Sequence, residues 1–526
     1  MSVELGLAIF AAIDLCVKYG KELEKIRSAF KGAETEIKER ILRLENGCYR
    51  CISQLQFLEQ AQTHHTMSDD HRALHKRTLH MLIEKLNVAE AILRGLVDTQ
   101  IDYNSLGNEL IYVPKPLKYA FKKGSLDEAI DALETWQRIS DPSWFLILKI
   151  SDSWIDDTLT NTSGVTKYIP SASAIRVGSR KASSMNNDST RLALPATDLN
   201  QMTTNQIIFS DVKIAASVRS DKTITYILDR IGSTETGLEV NTKRNIRDLA
   251  RRLQHDEPQT FGLLACKGFV EENTNPFIFE TPTDFTLIFR TPPRSTDPRS
   301  LRGHLLYGRP NSLSQRFSIA QQLAKSVTYV HVFGFVHKNV RPENIIEFSE
   351  QGNENLSVFL VGFKDLRREE GRTQRYGDDT PEKNLYRHPT RQGIIPGSEF
   401  IMQHDIYSLG ICLLEIGLWQ SFVQYDVQNQ NPRLSAMFGV AYNAPMEQVA
   451  RFLLISAKEW FVELARSKLR ECMGTRYSEI VETCLTCLDP DNADFGDPRE
   501  FEDEDGIRVG VRYIEKVLQC LDALCV

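Results

Sequence analysis

Two blocks in the C-terminal half constrain the fold of this 526-residue chain more than any other feature. The first, YVHVFGFVHKNVRPENII at residues 329–346, follows an apolar pattern spaced for a helix. That pattern consists of Phe317, Ala320, Leu323, Ala324, Val327 and Val330. The second block is HDIYSLGICLLEIGLW at residues 404–419.

The first block resembles the catalytic loop of protein kinases, usually written LHxxGIVHRDLKPENIL. The agreement covers His331, Gly334, His337, Pro342, Glu343, Asn344 and Ile345. The second block resembles the kinase helix with the pattern DxxSLGxxLxE, in which Asp405 would anchor the backbone of the catalytic loop. A third segment, LYRHPT at residues 385–390, is similar to the kinase YxAPE motif. The resemblance implies a bilobal α+β fold over residues 205–526. Strand-like runs at residues 206–214, 223–228, 277–279 and 285–289, followed by helical patterns after Ser312, are consistent with this fold.

The residues that carry kinase chemistry depart from this pattern. Phosphoryl transfer needs a carboxylate that accepts the substrate proton and oxygen ligands for Mg²⁺. The resemblance places Asn339 at the position of the base, and Gly362, in VFLVGFK, at the position of the metal-binding aspartate. An amide cannot accept that proton, which typically costs about 10²- to 10⁴-fold in rate. We therefore expect a pseudokinase without catalytic residues, in which His337, Asn339 and Gly362 are degenerate positions and His337 serves for packing.

Two residues remain as candidates for binding a nucleotide or its metal. Asn344 matches the family's amide ligand, although it also suits a hydrogen bond that shapes the loop. Asp365 would substitute for the missing aspartate only if the preceding strand slipped by three residues. We expect no metal and no bound cofactor, and ATP binding is possible but not expected.

Other family positions are also altered. No GxGxxG precedes the strand pattern at residues 223–228, and Asp229 and Arg230 stand where the family has its VAIK lysine. Thr390 replaces the glutamate of the YxAPE motif, and no arginine follows Asp489-Pro490 to pair with one. Removing one partner of a buried ion pair is costly, whereas losing both partners together is tolerable.

Composition limits the classes of protein to consider. The length predicts two or three domains, and 41% hydrophobic residues suffice for large cores. A net charge of −7 gives no support for a nucleic-acid partner. No apolar run reaches the roughly 18 residues needed to span a bilayer, so we expect a cytoplasmic protein. The CxxC pairs Cys48/Cys51 and Cys484/Cys487 are predicted to be core thiols rather than metal ligands.

The N-terminal part is predicted to be an all-α helical bundle with brace helices over residues 1–158. Apolar residues recur at three-to-four spacing up to about Val97, and helical patterns follow at residues 117–122, 127–136 and 144–154. Residues 159–204 are rich in Ser, Thr and Asn and are predicted to be a linker. Within it, SRKASS at residues 179–184 resembles a phosphorylation site, although a solvated polar linker with no regulatory role is the preferred interpretation.

The opening sequence, ELGLAIFAAIDLCVKYG, resembles fungal HeLo-type domains, which belong to prion-inhibition and propagation proteins. The order of bundle, brace and pseudokinase is similar to that of mixed-lineage kinase domain-like proteins. These resemblances imply programmed cell death or heterokaryon incompatibility, with homo-oligomers that act on plasma-membrane lipids after a signal from an upstream protein partner. The membrane and oligomerisation candidates are Leu5, Leu7, Ile9, Phe10 and Ile13. An ordinary core helix fits this segment as well.

Two alternatives remain at this level. A divergent kinase would use Asp365 and Asn344 with Mg²⁺ and ATP. A plain adaptor would bind proteins through both domains and would not bind membranes.

Overall fold

The computed structural model divides the chain into two compact units, Met1–Ser173 and Ala174–Val526. The structure describes residues 6–18, 35–63, 69–95, 97–102, 109–114, 116–150, 192–219, 222–232, 239–255, 258–273, 283–293, 295–350, 356–368, 378–425, 431–441, 444–495 and 507–524. Each unit has its own set of buried apolar side chains.

Helices dominate the N-terminal unit. They are α1 (6–18), α2 (Thr35–Thr63), α3 (Asp69–Arg94) and α4 (Pro116–Ile150). Ion pairs join α2 to α4 along one face of each helix, at 2.6 Å for Arg40–Asp127 and at 2.8 Å for both Arg43–Glu134 and Arg50–Asp141. Beneath these pairs lie apolar side chains from α2, α3 and α4, among them Leu44, Leu55, Leu82, Leu86 and Trp136.

This unit differs from the predicted all-α bundle because it contains a β-hairpin. Strands β1 (Val97–Asp102) and β2 (Glu109–Pro114) pair antiparallel in continuous register between α3 and α4. The helical periodicity on which the prediction rested ends at Leu96. Beyond it, β-branched residues such as Ile111 and Val113 favour extended backbone.

The three helical pieces predicted after the hairpin form a single helix, α4. It continues through Gly124 and Pro142. Proline inside a helix costs about 3 kcal/mol, so strong packing is needed to keep it helical. Trp136 and Trp144, both 2% exposed, supply that packing on either side of the bend-prone position.

A six-stranded mixed sheet forms one part of the C-terminal unit, with the strand order β3-β7-β8-β6-β5-β4. Only the β3–β7 pair is parallel. The strands are β3 (Ala193–Leu194), β4 (Thr203–Gln206), β5 (Lys213–Arg219), β6 (Lys222–Ile231), β7 (Cys266–Asn273) and β8 (Thr283–Arg290). Helices α5 (Thr197–Asn200), α6 (Glu239–Arg252) and α7 (Pro258–Phe261) accompany the sheet, and α6 packs on β7 and β8.

The sheet differs from its prediction in two places. It begins at Ala193, inside the segment predicted to be a linker, because β3 pairs with β7. Residues 207–212, predicted to be strand, form the loop between β4 and β5. The predicted strands at residues 223–228 and 285–289 lie within β6 and β8. The one predicted at 277–279 lies outside the described residues.

Helices form the rest of this unit around α11, in which every residue from Met402 to Gly417 is buried. The helices are α8 (Leu301–Tyr307), α9 (Leu313–Val332), α10 (Pro381–Asn384), α11 (Met402–Leu418), α12 (Met446–Ile455), α13 (Ala457–Leu464), α14 (Arg470–Met473), α15 (Thr475–Leu485), α16 (Ile507–Tyr513) and α17 (Gln519–Asp522).

Seven more strands lie among these helices in the described part of the chain. Strands β9 (Ser295–Ser300), β11 (Ile345–Glu350) and β12 (Leu356–Leu360) form a sheet in the order β12-β11-β9. Two further pairs are β10 (Phe335–Val336) with β13 (Arg367–Arg368), and β14 (Val423–Tyr425) with β15 (Pro432–Leu434). This arrangement places residues 337–344 next to residues 361–365.

Within the part of the chain that the structure describes, no helix is long and apolar enough to cross a membrane. The four cysteines of the CxxC pairs are buried free thiols. No group of three or more metal-ligating side chains occurs among the described residues.

Candidate functional site

Asp405, near the start of the buried helix α11, holds the backbone of residues 337–338. Its two carboxylate oxygens accept hydrogen bonds from the backbone N–H groups of His337 and Lys338, at 2.7 and 2.8 Å. Burial opposes the charge on Asp405, but the interaction with His331, 3.0 Å away, lowers its pKa below its ordinary value. Lys338 has a φ of 66°, an unfavourable conformation for a residue with a Cβ, and these bonds compensate for it.

Asn339, at the position that the resemblance gives to the catalytic base, is engaged through both of its amide groups. Its Oδ1 accepts a hydrogen bond from Nε of Arg341 at 2.8 Å, and its Nδ2 donates to the carbonyl oxygen of Gly362 at 3.1 Å. The side chain is 5% exposed. It therefore links residues 337–344 to the segment that follows β12.

Gly362 and Asn344 share one small space. Gly362 has a φ of +82°, and a Cβ added to it would lie 2.3 Å from Cγ of Asn344. Asn344 is fully buried, and its Nδ2 donates to the carbonyl oxygen of Asn339 at 2.8 Å. The Asn344 amide therefore lies where a side chain at position 362 would begin, which explains why a glycine stands there.

Asp229, on β6, reaches the same place from the sheet. Its Oδ2 accepts hydrogen bonds from the backbone N–H groups of Gly362 and Phe363, both at 2.9 Å. The carboxyl group is 2% exposed, and this burial raises its pKa from 3.8 to about 6. From the sequence, Asp229 was interpreted only as a replacement for the family's VAIK lysine. Its acceptor role depends on a tertiary contact that no local pattern encodes.

The loop at residues 207–212 lies against this site, where the resemblance would place the phosphate-binding loop. Ser210 Oγ donates to the carbonyl oxygen of Glu343 at 2.6 Å, and Ser300 Oγ donates to that of Ile208 at 2.6 Å. Asp211 forms an ion pair with Lys364 at 2.5 Å. We call residues 207–212 the closing loop, because these contacts connect the sheet to residues 343 and 364.

Phe209 is the apolar anchor of the closing loop. Its ring centroid lies 5.6 Å from that of Tyr307 and 4.4 Å from that of Tyr425. Its φ of 54° is unfavourable for a bulky residue, so the aromatic contacts must outweigh this strain. The closing loop was not predicted, because apolar Ile207, Ile208 and Phe209 indicate a strand.

The two remaining candidates of this unit are placed only in part. The His337 ring is fully buried and packs on Phe363, with ring centroids 5.0 Å apart. The backbone of Asp365 ends the 3₁₀ turn Phe363–Asp365, and its side chain lies outside the described residues.

A buried ionic cluster lies below the site and was missed by the sequence analysis. Arg302, which is 0% exposed, contacts Glu343 at 3.2 Å and Glu415 at 2.7 Å. Tyr386 hydrogen bonds to both Arg302 and Glu415. Burial opposes the charge on Glu343, but Arg302 lowers its pKa below the ordinary value. Burial raises the pKa of Glu415.

This cluster ties the segment before α11 to that helix through Tyr386, the family's YxAPE tyrosine position. The available signal was Glu415, a carboxylate inside the apolar run ICLLEIGLW, because a buried charge requires a partner. The sequence did not indicate which of the many arginines that partner would be.

In the N-terminal unit, the predicted membrane candidates on α1 differ in how exposed their side chains are. Ile9 is 1% exposed and lies on the buried face with Ala12 and Cys16. Leu7 and Phe10 point outward and are 66% and 68% exposed. Ile13 is half-buried, and Leu5 lies outside the described residues. Ile9 therefore acts as a core residue here, because a helix this short cannot bury its whole circumference in one bundle.

Comparison with known proteins supports a kinase-like region and is limited to part of the chain. No protein-family model matches it. Eukaryotic translation initiation factor 2-alpha kinase 1 of Rattus norvegicus is 29% identical over 147 residues, which are 27% of this chain and 22% of that protein. The Mus musculus protein of that name is 27% identical over 146 residues, again 27% and 22% of the two chains. The serine/threonine-protein kinase Kist of Homo sapiens is 29% identical over 97 residues, 18% of this chain and 23% of Kist.

The chain thus spans less than a quarter of the length of these relatives. The expected similarity to protein kinases is confirmed over about a quarter of this chain. A helical N-terminal unit followed by a unit of mixed sheet and helices agrees with a kinase-like multidomain protein. The resemblance to HeLo-type domains finds no support in these comparisons and rests on the sequence pattern alone.

Asp229 makes the stability of the C-terminal unit depend on pH. Because its pKa is raised from 3.8 to about 6, the folded state binds this proton more tightly than the unfolded state does. Its contribution to the free energy of unfolding therefore falls as pH rises from 4 through 6, by about 3 kcal/mol in total. In Asp229→Asn this term is absent, while the amide oxygen still accepts a hydrogen bond.

We expect the difference in unfolding free energy, Asp229→Asn minus wild type, to increase by about 3 kcal/mol between pH 4 and pH 7. Urea titrations across this range measure it, and the comparison cancels the other carboxylates. Asp211 and Lys364 also face Asp229, so Asp211→Asn is the control for their smaller electrostatic effect. Parallel pH profiles for Asp229→Asn and wild type would contradict the assignment.

Proposed function

We propose that this chain is a non-catalytic, kinase-like signalling protein whose N-terminal helical unit acts as a membrane-targeting effector. The kinase-like unit receives a signal from a protein partner and releases the effector, which then oligomerises at a membrane. The regulatory half of the proposal rests on the kinase-like region, and the effector half rests on α1.

The observation that carries the non-catalytic assignment is the use of Asn339 as a structural link. Its carbonyl oxygen accepts from Arg341 and its NH₂ donates to the Gly362 carbonyl oxygen, and a neutral amide is too weak a base to take the proton of a substrate hydroxyl. The base position is therefore occupied by a side chain whose hydrogen bonds hold the loop together.

The residues around Gly362 do not fit the magnesium ion that protein kinases use. Mg²⁺ requires several oxygen ligands in near-octahedral geometry. Gly362 offers no side-chain oxygen, Asn344 is fully buried, and the Asp229 carboxylate accepts two backbone N–H groups. The closing loop also covers part of this region through Ser210. We derive no phosphoryl-transfer step from this arrangement.

A divergent kinase is the second candidate, and one observation favours it. Oδ1 of Asn344 is buried and has no hydrogen-bond partner among the described residues, as a vacant ligand position would be. Incubation of the purified full chain with labelled ATP, Mg²⁺ and a generic protein substrate distinguishes the candidates. We expect no transfer above that of Asp365→Ala. Transfer by the wild type that Asp365→Ala abolishes would establish the kinase.

The effector half rests on the outward-facing apolar pair Leu7 and Phe10. The two side chains stand one turn apart on a short helix and are 66% and 68% exposed. Inserting both into a bilayer would contribute about 1.5–3 kcal/mol each. Ile9 is unsuitable for a test, because its substitution would disrupt the core.

We expect residues 1–158 to co-sediment with phosphatidylcholine–phosphatidylserine vesicles and to kill cells that express them. Leu7→Asp with Phe10→Asp should weaken vesicle binding more than about 100-fold, because both apolar contributions are lost. Leu42→Asp and Val88→Asp are matched controls, since these side chains are 55% and 58% exposed on α2 and α3. Failure of the unsubstituted fragment to bind vesicles, or equal losses in the controls, would favour a plain adaptor.

A further inference from the structure

Three cysteine side chains meet in the core of the N-terminal unit. Cys16 on α1 and Cys48 and Cys51 on α2 are 0%, 4% and 2% exposed. The Cys48 thiol donates to the Cys16 carbonyl oxygen at 3.1 Å, which places its sulfur beside residue 16. Cys51 faces α4 instead, where Nε2 of Gln137 lies 3.6 Å from its sulfur.

We propose that Cys16 and Cys48 form a disulfide that fastens α1 to α2. The two cysteines belong to different helices and the Cys48 sulfur lies 3.1 Å from the Cys16 carbonyl oxygen, so a bond between their sulfurs joins elements that otherwise only pack together. Cys51 contacts a third helix and is excluded from this bond by its direction. Only the consequence for membrane binding rests on the proposed function, and the bond itself does not.

Burial controls when this bond can form. The neighbouring Cys48 thiol and burial raise the pKa of Cys16 well above its ordinary value, and burial raises the pKa of Cys51 to about 12. Thiolates are the reactive species, so the docked Cys16 is inert. Oxidation therefore requires α1 to leave the bundle transiently, which is the same motion that would expose Ile9 and Ala12.

A peroxide is a sufficient oxidant, and the electrons balance in two steps. In the open state the Cys16 thiolate attacks a peroxide oxygen, so that an S–O bond forms, the O–O bond breaks and the leaving hydroxide takes up a proton. When α1 docks again, the Cys48 sulfur attacks the sulfenic acid, the S–O bond breaks, and water leaves with the thiol proton. Two thiols lose two electrons, and one hydrogen peroxide becomes two waters.

The disulfide should hold α1 in the bundle. It closes the chain between residues 16 and 48, and a loop of this length restricts the open ensemble on the order of a hundredfold. Oxidation would therefore lock the N-terminal unit in its docked form, and reduction would permit release.

The test uses the full chain treated with hydrogen peroxide, blocked with iodoacetamide and digested for mass spectrometry. We expect a Cys16–Cys48 linked peptide in wild type and in Cys51→Ser, and none in Cys16→Ser or Cys48→Ser. Cys51→Ser is a matched control, because it makes the same change at a buried position one turn further along α2. Exposed Cys472 and Cys520 report that the oxidant acted.

Amide exchange in residues 6–18 should slow on the order of a hundredfold in oxidised wild type and recover after dithiothreitol. Alanine variants of Cys16 and Cys48 repeat the experiment in case serine unfolds the unit. Oxidation of Cys472 and Cys520 with no Cys16–Cys48 peptide, or a Cys48–Cys51 bond in its place, overturns the proposal. A linked peptide in a chain that never binds vesicles would refute the membrane function and leave the disulfide standing.

Discussion

Replacing Arg302 by methionine should lower the free energy of unfolding of the C-terminal unit by about 3–5 kcal/mol, the usual cost of removing one partner from a buried ionic group. Arg302 is 0% exposed and is the cation between Glu343 and Glu415. Without it, Glu415 remains buried without a countercharge, and Glu343 keeps only the more distant charge of Arg341. Chemical denaturation followed by circular dichroism measures the loss.

A matched control separates this effect from the general loss of an arginine. Arg466, in the same unit, pairs with Glu482 but is 57% exposed, so Arg466→Met should change stability by less than about 1 kcal/mol. Adding Glu343→Gln and Glu415→Gln to Arg302→Met should restore much of the lost stability, because the unpaired charges are then removed. Similar losses for Arg302→Met and Arg466→Met would show that the buried cluster does not stabilise the fold.

Gly362→Ala should destabilise the same unit by about 2–4 kcal/mol, the sum of a left-handed backbone penalty and overpacking. The new Cβ would lie 2.3 Å from Cγ of Asn344, and the φ of +82° disfavours any side chain. Gly362→Asp, which restores the family's carboxylate, should be at least as destabilising for the same reason. Thermal and urea unfolding measure both.

Gly393→Ala isolates the backbone term, because Gly393 has a φ of +79° but no atom within 4 Å of its added Cβ. That variant should lose only about 1–2 kcal/mol. Combining Gly362→Ala with Asn344→Gly should recover the packing part of the loss. If Gly362→Ala costs no more than Gly393→Ala, the Asn344 side chain does not occupy the space assigned to it.

Short motifs predicted the structure correctly where a local sequence specifies a contact. The segment HKNVRPEN and the DxxSLG helix predicted a loop held against a helix, and the structure has Asp405 accepting from the backbone at residues 337 and 338. The helical periodicity up to about Val97 predicted helices, and the structure has α2 at Thr35–Thr63 and α3 at Asp69–Arg94. In these cases a repeating apolar spacing or a short motif contains the needed information.

Prediction failed where distant residues decide the outcome. α4 continues through Pro142 because Trp136 and Trp144 are buried, although proline normally ends a helix. Residues 207–212 are apolar enough for a strand but form the closing loop, because Ser210 and Phe209 find partners far away in the chain. Such partners cannot be chosen from periodicity.

The sequence alone determined that positions 339 and 362 carry no carboxylate, since asparagine and glycine have none in any conformation. It also determined the apolar character of α1 and the kinase-like order of motifs. Only the tertiary structure decided what surrounds Gly362. Asp229 accepts a hydrogen bond from its backbone N–H, the Asn344 amide lies beside it, and Arg302 holds the buried ionic cluster together. These are contacts between residues far apart in sequence, and their energies depend on burial and distance, which exist only once the chain has folded.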